Sequence, residues 1–311
     1  MPAAATRSGD PLDAVHLGPE SLRRYLRRHS IVARKGFSQN FLADGDVLEA
    51  IVDTASPDPG RRILEIGPGL GILTAALIER GAHVTAVEID RDLVAHLRRR
   101  FGTEGSGALR LVEGDVLATP IDELVETPYD LVANLPYHIT SPVLHQVLGG
   151  VARPERFVLM VQREVAERIA APPGAMSYLS VFVQYHAEVG IVRTVPAVAF
   201  EPAPEVDSAI LAGSTRPRRL DERAEDDLWR LVQAGFRERR KMLHNVLPRQ
   251  LPSVGRERFT NALAATGIAP DRRPQTLSVD EWLALAAVLG PLDSAPGPLD
   301  ATPGPPHVAA E

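Results

Sequence analysis

Asn134-Leu135-Pro136-Tyr137 is the stretch of this 311-residue sequence whose residue types ask for the most particular chemistry. An aromatic amine is a poor nucleophile because its lone pair is delocalised into the ring. The side-chain oxygen of Asn134 and the backbone carbonyl of Leu135 can each accept one amino hydrogen, drawing the nitrogen towards tetrahedral geometry. Beyond Pro136, the ring of Tyr137 can stack on a planar base and hold it in line with an electrophile. Such a site works by positioning and electrostatic support, and it needs no general base of unusual pKa. Taken alone, the tetrapeptide could equally be a strand-exit turn, since Asn and Pro favour turns.

A second constellation supplies the electrophile. Glu65-Ile66-Gly67-Pro68-Gly69-Leu70-Gly71 follows an apolar run and precedes a helical pattern. Glycines at such a turn let a ligand approach the backbone, and the next helix offers free N–H groups. The dinucleotide fingerprint is G-x-G-x-x-G, and here the third glycine arrives one residue too early for it. An acidic residue heading G-x-G-x-G suits S-adenosylmethionine, a cation with no pyrophosphate to cradle. Glu88 lies about twenty residues beyond Gly67, where a carboxylate can accept both ribose hydroxyls. Asp115, in EGDV at 113–116, can accept from an adenine amino group, although Gly-Asp alone is a common turn. Carboxylates and glycines at successive strand ends define one crevice, which is where open α/β sheets bind ligands.

The elements that must carry these groups are legible from pattern. RRILEIG, HVTAVEID, LRLVEGDV, YDLVANLP and RFVLMVQ read as buried strands, with helices LTAALIERG (closed by Gly81) and DLVAHLRRRF between the first three. This alternation predicts an α/β fold: a doubly wound, Rossmann-like sheet, parallel and covered on both faces. VFVQYHAEVGIVRTV and VDSAILAG read as two further strands, an antiparallel edge pair. From about residue 217 the period becomes 3.6, and Trp229, Val232, Phe236, Leu243 and Leu247 mark one face of a long helix. RERFTNALAATG and SVDEWLALAAVLG add two helices, the second opened by a Ser278–Glu281 capping box. The predicted organisation is a tail at 1–17, an α/β domain at 18–216, a small all-helical domain at 217–290 and a tail at 291–311. Both tails are rich in Pro, Ala, Gly and Asp and read as disordered. No internal repeat is apparent.

Composition narrows the function further. The absence of cysteine excludes disulfides, thiolate metal sites and cysteine nucleophiles, including the thiolate route to pyrimidine C5 methylation. No apolar run is long enough to span a bilayer, and the N-terminus has no signal-like apolar region. A cytoplasmic monomer without metal or membrane partner is expected. The net charge of −6 gives no support to nucleic-acid binding. Yet Arg23, Arg24, Arg27, Arg28, Arg34 and Lys35 cluster, as do Arg237, Arg239, Arg240 and Lys241. Arg237, Arg240, Lys241 and His244 fall at i, i+3, i+4 and i+7, which predicts that they share one helix face opposite the apolar stripe. That face is either a phosphate-binding surface or simply solvated.

Taken together, these motifs resemble the small-subunit ribosomal RNA adenine dimethyltransferase family (the kasugamycin-resistance methyltransferase), related to the erythromycin-resistance methyltransferases. The likeness runs in order through GFSQNFL at 36–42, EIGPGLG at 65–71, VEID at 87–90, GDV at 114–116 and NLPYHIT at 134–140. It continues through VQREVAERI at 161–169, LSVFVQY at 179–185, FEPAPEVDSAI at 200–210 and FRERRKMLHNVL at 236–247. The resemblance implies methyl transfer from S-adenosylmethionine to adenine N6, twice per base. The implied substrate is two adjacent adenosines in the 3′-terminal hairpin of small-subunit rRNA, on an immature small ribosomal subunit, in ribosome biogenesis. It adds Asn40 and Leu42 to a cofactor site of Glu65, Gly67, Gly69, Glu88, Asp115 and Asn134. It also suggests Phe200 as a second aromatic clamp opposite Tyr137, where residue type alone would equally give a buried hydrophobe. The same likeness tips Arg237, Arg240 and Lys241 towards RNA contact.

Three positions depart from the family pattern: Ser38 for a frequent glycine, His138 for a frequent Asn, and Glu205 for a common basic residue. The rival readings are a large-subunit rRNA adenine methyltransferase conferring resistance, a non-catalytic ribosome-assembly factor, and a small-molecule methyltransferase. The intact NLPY argues against the second, and the two basic clusters argue against the third.

Overall fold

A computed structural model of the chain describes residue 12 and residues 17–34, 39–102 and 107–292. The described residues form two compact units, one reaching Ala170 and including Phe182–Pro217, the other made of Ala171–Val181 and the chain from Arg218. The first unit carries α1 (Pro19–Arg28), β1 (Phe41–Leu42), α2 (Gly45–Ala55), β2 (Arg62–Ile66), α3 (Ile72–Glu79), β3 (His83–Glu88) and α4 (Arg91–Phe101). After these come β4 (Leu109–Glu113), α5 (Ile121–Leu124), β5 (Asp130–Asn134), α6 (Thr140–Gly149), β6 (Arg156–Gln162) and α7 (Arg163–Ile169). Then follow α8 (Tyr178–His186), which begins in the second unit, β7 (Ala187–Val195), β8 (Phe200–Glu201) and β9 (Ser208–Thr215).

The main sheet has the order β4-β3-β2-β5-β6-β9-β7. β4, β3, β2, β5 and β6 are parallel, while β9 runs antiparallel to both β6 and β7. Chain order reverses beside β2, so the carboxyl ends of β2, β3, β4 and β5 surround one crevice. The strands are near-continuous apolar runs because both faces are covered. Ile63, Leu64, Leu131, Ala133 and Leu159 are fully buried. A separate two-stranded ribbon pairs Phe41 with Glu201 and Leu42 with Phe200.

Local chemistry sets the turns around the crevice. Asp90 caps α4 through the Asp92 N–H at 3.0 Å, and Asp44 caps α2 through Val47 N–H at 3.0 Å. Gly71 opens α3 at φ +75°, and a Cβ there would stand 2.6 Å from the Phe101 ring and 2.8 Å from Leu97. Only glycine allows α4 to close over the turn so tightly.

The second unit holds α9 (Glu222–Phe236), α10 (Leu243–Gln250), α11 (Arg256–Ala265) and α12 (Val279–Leu289). Trp282, Leu231, Val232, Leu243, Leu247 and Phe259 are its buried centre. The capping box of Ser278 and Glu281 is present in full.

Four sequence expectations are corrected. Residues 181–186, expected as strand, complete α8: Val181, Phe182, Val183, Tyr185 and His186 are all at least 95% buried. A helix covered on nearly every side loses its period and looks like a strand. Residues 171–181, expected in the α/β domain, group with the helical unit. The expected long helix is two helices, broken at 237–242 between the α9 C-cap at Arg237 and the extended α10 N-cap at Met242. Arg237, Arg240 and Lys241 would be neighbouring like charges on a continuous helix, which is unfavourable. At the corner they are exposed and do not share one helical face with His244. Lastly, each expected tail contributes a core side chain: Leu12 is 1% exposed and Leu292 5%. Residues 1–11, 13–16 and 293–311, with Lys35 and Ser38, lie outside the described residues.

Candidate active site

A cavity of about 420 Å³ opens at the carboxyl ends of the strands and is lined by Asn40, Leu42, Glu65, Gly67, Gly69, Glu88, Asp115 and Asn134. Leu135, Pro136 and Tyr137 line it as well, so the two constellations read from the sequence share one chamber. Its volume falls in the range of roughly 300–1,000 Å³ usual for small-molecule sites.

Its electrostatics are unusual. Glu65 is 1% exposed and Glu88 4%. Glu65 accepts one hydrogen bond, from the Thr74 hydroxyl at 2.6 Å. Glu88 accepts from the N–H groups of Gly69 (3.1 Å) and Asp90 (2.9 Å). No cation among the described residues pairs with either. Asp130, buried at the opposite end of β5, is by contrast gripped by Arg61 at 2.6 Å and Arg156 at 2.7 Å. Buried carboxylates ordinarily have such partners. Burial raises the Glu65 carboxyl to about 8, against the pull of Thr74 and helped by the nearby Glu88 charge. Burial raises Glu88 too, opposed by its backbone donors. Two buried acids lacking counter-ions, facing one cavity, suit a ligand that brings positive charge and hydroxyls.

Asp115 is the exposed member of the set and caps the short turn after β4 through Leu117 N–H at 2.9 Å. Ile89 and Leu117 each follow close behind a strand-end carboxylate and stay 48% and 38% exposed at the cavity wall. Exposed aliphatic side chains there fit the faces of a flat base. Sequence reading missed them, although an apolar residue directly after Glu88 was a usable signal.

At the end of β5 the side-chain amide of Asn134 donates to the Asn40 carbonyl at 3.3 Å. That bond fixes the amide orientation and leaves Oδ1 without a donor among the described residues. The Leu135 N–H is satisfied by the Met160 carbonyl at 3.1 Å, which holds the turn against β6. The Tyr137 hydroxyl is 2.8 Å from the hydroxyl of Ser208, a fully buried residue of β9. Burial raises the Tyr137 phenol, with Ser208 opposing, so the ring stays neutral. Ser208, like Thr74, is a supporting residue that sequence reasoning left without a role.

Phe200 is not brought to this chamber. It is 1% exposed, packed in the core and paired with Leu42 across the ribbon. The buried-hydrophobe reading holds for it in this arrangement. His138 lines the cavity and is exposed, and Glu205 is exposed. Among the described residues no group of three or more His, Asp or Glu is placed to hold a metal, and no helix is long and apolar enough to cross a membrane.

Comparison with known proteins gives a consistent picture. The family model described as "Ribosomal RNA adenine dimethylase" matches residues 31–290. A protein of Anaeromyxobacter sp. (strain K) named "Ribosomal RNA small subunit methyltransferase A" is 42% identical over 284 residues, covering 87% of this chain and 98% of that relative. One of the same name from Synechococcus sp. (strain JA-3-3Ab) is 45% identical over 268 residues, covering 82% and 92%. Among solved structures, the 23S rRNA methyltransferase ErmE superposes with a TM-score of 0.65 at 29% identity, covering 80% of this chain and 99% of that one. A dimethyladenosine transferase from Plasmodium falciparum gives 0.69 at 26% identity, covering 79% and 95%.

Proposed function

The chain belongs to the ribosomal RNA adenine dimethylase family, and from that premise we propose that it dimethylates N6 of two adjacent adenosines in the 3′-terminal hairpin of small-subunit rRNA during ribosome biogenesis. It is an S-adenosylmethionine-dependent rRNA adenine dimethyltransferase. We place its action in the cytoplasm, with the immature small subunit as partner. The observation that carries the reading is the juxtaposition of the Asn134–Tyr137 turn with the counter-ion-free Glu65 and Glu88 in one cavity.

S-adenosylmethionine supplies an electrophilic methyl group when bound. Glu88 and Asp115 would hold its ribose and adenine, with Ile89 and Leu117 against the base faces. Gly67 and Gly69 leave the backbone bare beside it. Asn134 Oδ1 and the Leu135 carbonyl would accept the two amino hydrogens of the target adenine, and Tyr137, held by Ser208, would keep the ring in line. A second methylation still offers one amino hydrogen to the same acceptors. In the second unit we assign Arg237, Arg240 and Lys241 to phosphate contacts, which fix register and carry no base identity. Arg240 and Lys241 meet no carboxylate among the described residues.

One prediction follows from the acid pair. The ionised form of Glu65 is the form that attracts a cation, and with a carboxyl at about 8 it is mostly protonated near neutrality. Affinity for S-adenosylmethionine should therefore climb as pH rises to about 8, by up to about tenfold per unit, and then level off. In the same window the ligand-free protein should lose stability, because the folded chain keeps a proton that the unfolded chain releases near 4.5. Glu88, Asp115, Tyr137 and His138 also line the cavity, so Glu65→Gln is the control that should flatten the affinity profile. Calorimetric titration across this range decides it, and a flat wild-type profile would contradict the assignment.

The functional reading is tested by offering labelled cofactor to small and large ribosomal particles that lack the modification. Label should enter the small particle. Transfer to the large particle alone would favour the resistance-type activity, and transfer to neither would favour an assembly factor.

A further inference from the structure

Many arginines of the α/β unit are held by carboxylates or by backbone carbonyls, as Arg110 and Arg193 are. Arg23 sits 2.8 Å from Glu201, Arg34 pairs with Asp90 and Asp92, Arg80 holds Asp53 at 2.7 Å, and Arg91 and Arg98 share Glu113. Arg24, Arg27 and Arg28 on α1 and Arg99 on α4 are exposed and meet no carboxylate among the described residues. Three such guanidiniums on one ten-residue helix are conspicuous in a chain whose net charge is −6.

Ring contacts join α1, which carries three of these residues, to α4, which carries the fourth. Tyr25 on α1 and His29 at its C-cap lie one turn apart, and each has its ring centroid 5.7 Å from that of His96 on α4. The Tyr25 hydroxyl is 3.4 Å from His96 Nε2. His96 stands three residues before Arg99, and a shallow groove lined by His29, Arg34 and Arg99 runs between α4 and the segment that follows α1. The carboxylates in that groove, Asp90 and Asp92, are both bonded to Arg34 and so are already compensated. Glu20 is the one acid on α1; it stands one turn before Arg24, with no ion pair between them among the described residues, while Arg27 and Arg28 lie two turns on.

The surface also has a defined place beside the active site. Arg23 ties α1 to Glu201 of β8, β8 pairs with β1, and Phe41 and Leu42 of β1 line the cavity. The apolar residues of α1, Leu22 and Leu26, are buried in the core. The helix therefore has no apolar face to insert into a lipid surface, nor an apolar anchor of the kind that dominates protein interfaces. Its exposed chemistry is guanidinium, spaced by a helical turn of about 6 Å between Arg24 and Arg28.

We propose that the α1–α4 surface, with Arg24, Arg27, Arg28 and Arg99, is an RNA-backbone site that grips phosphates of the substrate next to the cavity. This rests on the reading of rRNA as substrate. The grip fixes how the RNA lies on the α/β unit and leaves base choice to the chamber.

The test uses the full chain with Arg24→Gln and Arg28→Gln together, which removes charge and keeps helix propensity. Binding to unmodified small ribosomal particles is measured over a range of salt, alongside calorimetric cofactor affinity. The slope of log affinity against log salt should flatten by roughly 1.5, two contacts at about 0.7–0.9 each. Cofactor affinity and the turnover rate at saturating particle should not move. An unchanged slope, in a wild-type protein that still methylates the particle, overturns the surface and leaves the function intact. A wild type that methylates no small-subunit particle sinks the parent reading instead, and this proposal with it. Vesicles containing phosphatidylserine form the third arm. Wild-type binding to them that the double variant loses, with the RNA slope unchanged, would reassign the surface to membrane and refute the proposal.

Discussion

Asn134→Ala is expected to lower single-turnover methylation of the small ribosomal particle by about 10²–10³-fold, or roughly 3–4 kcal/mol of transition-state support. The Asn134 amide is oriented by the Asn40 carbonyl, so its oxygen faces the chamber already set. An acceptor that strengthens as the amine nitrogen becomes tetrahedral acts on the chemical step and little on ground-state binding. Particle affinity should accordingly change by less than about threefold, a fraction of 1 kcal/mol. Asn134 also lines the cofactor cavity, so the assay is run at saturating S-adenosylmethionine. Single-turnover rates near those of the wild type would show that the amine is activated elsewhere.

Gly67→Val carries the second large effect, and it acts on cofactor binding. Gly67 has φ +68°, a conformation that a β-branched residue adopts only under strain. A Cβ there would meet Pro136 Cδ at 3.5 Å and Cγ at 3.7 Å, both ordinary contacts, and beyond its chain neighbours no other residue lies within 4 Å. The chain should therefore fold, with a melting point lower by some degrees for about 1–2 kcal/mol of backbone strain. The valine methyl groups then occupy the cavity wall between the glycine turn and Pro136. S-adenosylmethionine affinity should fall by at least about 100-fold, or roughly 2.7 kcal/mol. Unchanged calorimetric affinity in a folded Gly67→Val protein would show that the cofactor does not lie along this turn.

The chamber was legible because its parts sit at strand ends. Period-two or all-apolar runs ending in Glu65, Glu88 and Asn134 place those side chains at one edge of any parallel sheet, whatever the details of packing. Phe200 was not legible in the same way. An aromatic before Pro202 could face either the cavity or the core, and only the Leu42 pairing of the ribbon puts it in the core. The supporting hydroxyls of Thr74 and Ser208 were hidden for a similar reason. Their partners lie 9 and 71 residues away, and a hydroxyl carries no local pattern.

The two helical errors have separate physical causes. α8 is buried on nearly every side, which erases the 3.6-residue period that betrays a surface helix. The corner at 237–242 contains neither Gly nor Pro, so the apolar spacing of Trp229 to Leu247 ran through it unbroken. Like charges at Arg237, Arg240 and Lys241 disfavour a continuous helix there, and Leu243 and Leu247 are fully buried beyond the corner. The carbonyl of Arg272 takes the Leu243 N–H at 2.9 Å, a long-range bond that the linear sequence could not announce.

The central claim is that one chamber holds the methyl donor and presents adjacent adenines of small-subunit rRNA to it. The most direct measurement is mass mapping of nuclease fragments from small particles lacking the modification, after incubation with the protein and S-adenosylmethionine. The account predicts a single modified fragment, from the hairpin at the 3′ end, carrying two neighbouring N6,N6-dimethyladenosines, and no such fragment with Asn134→Ala in the same time. Methylation confined to a large-subunit fragment, or to a base other than adenine, would contradict it.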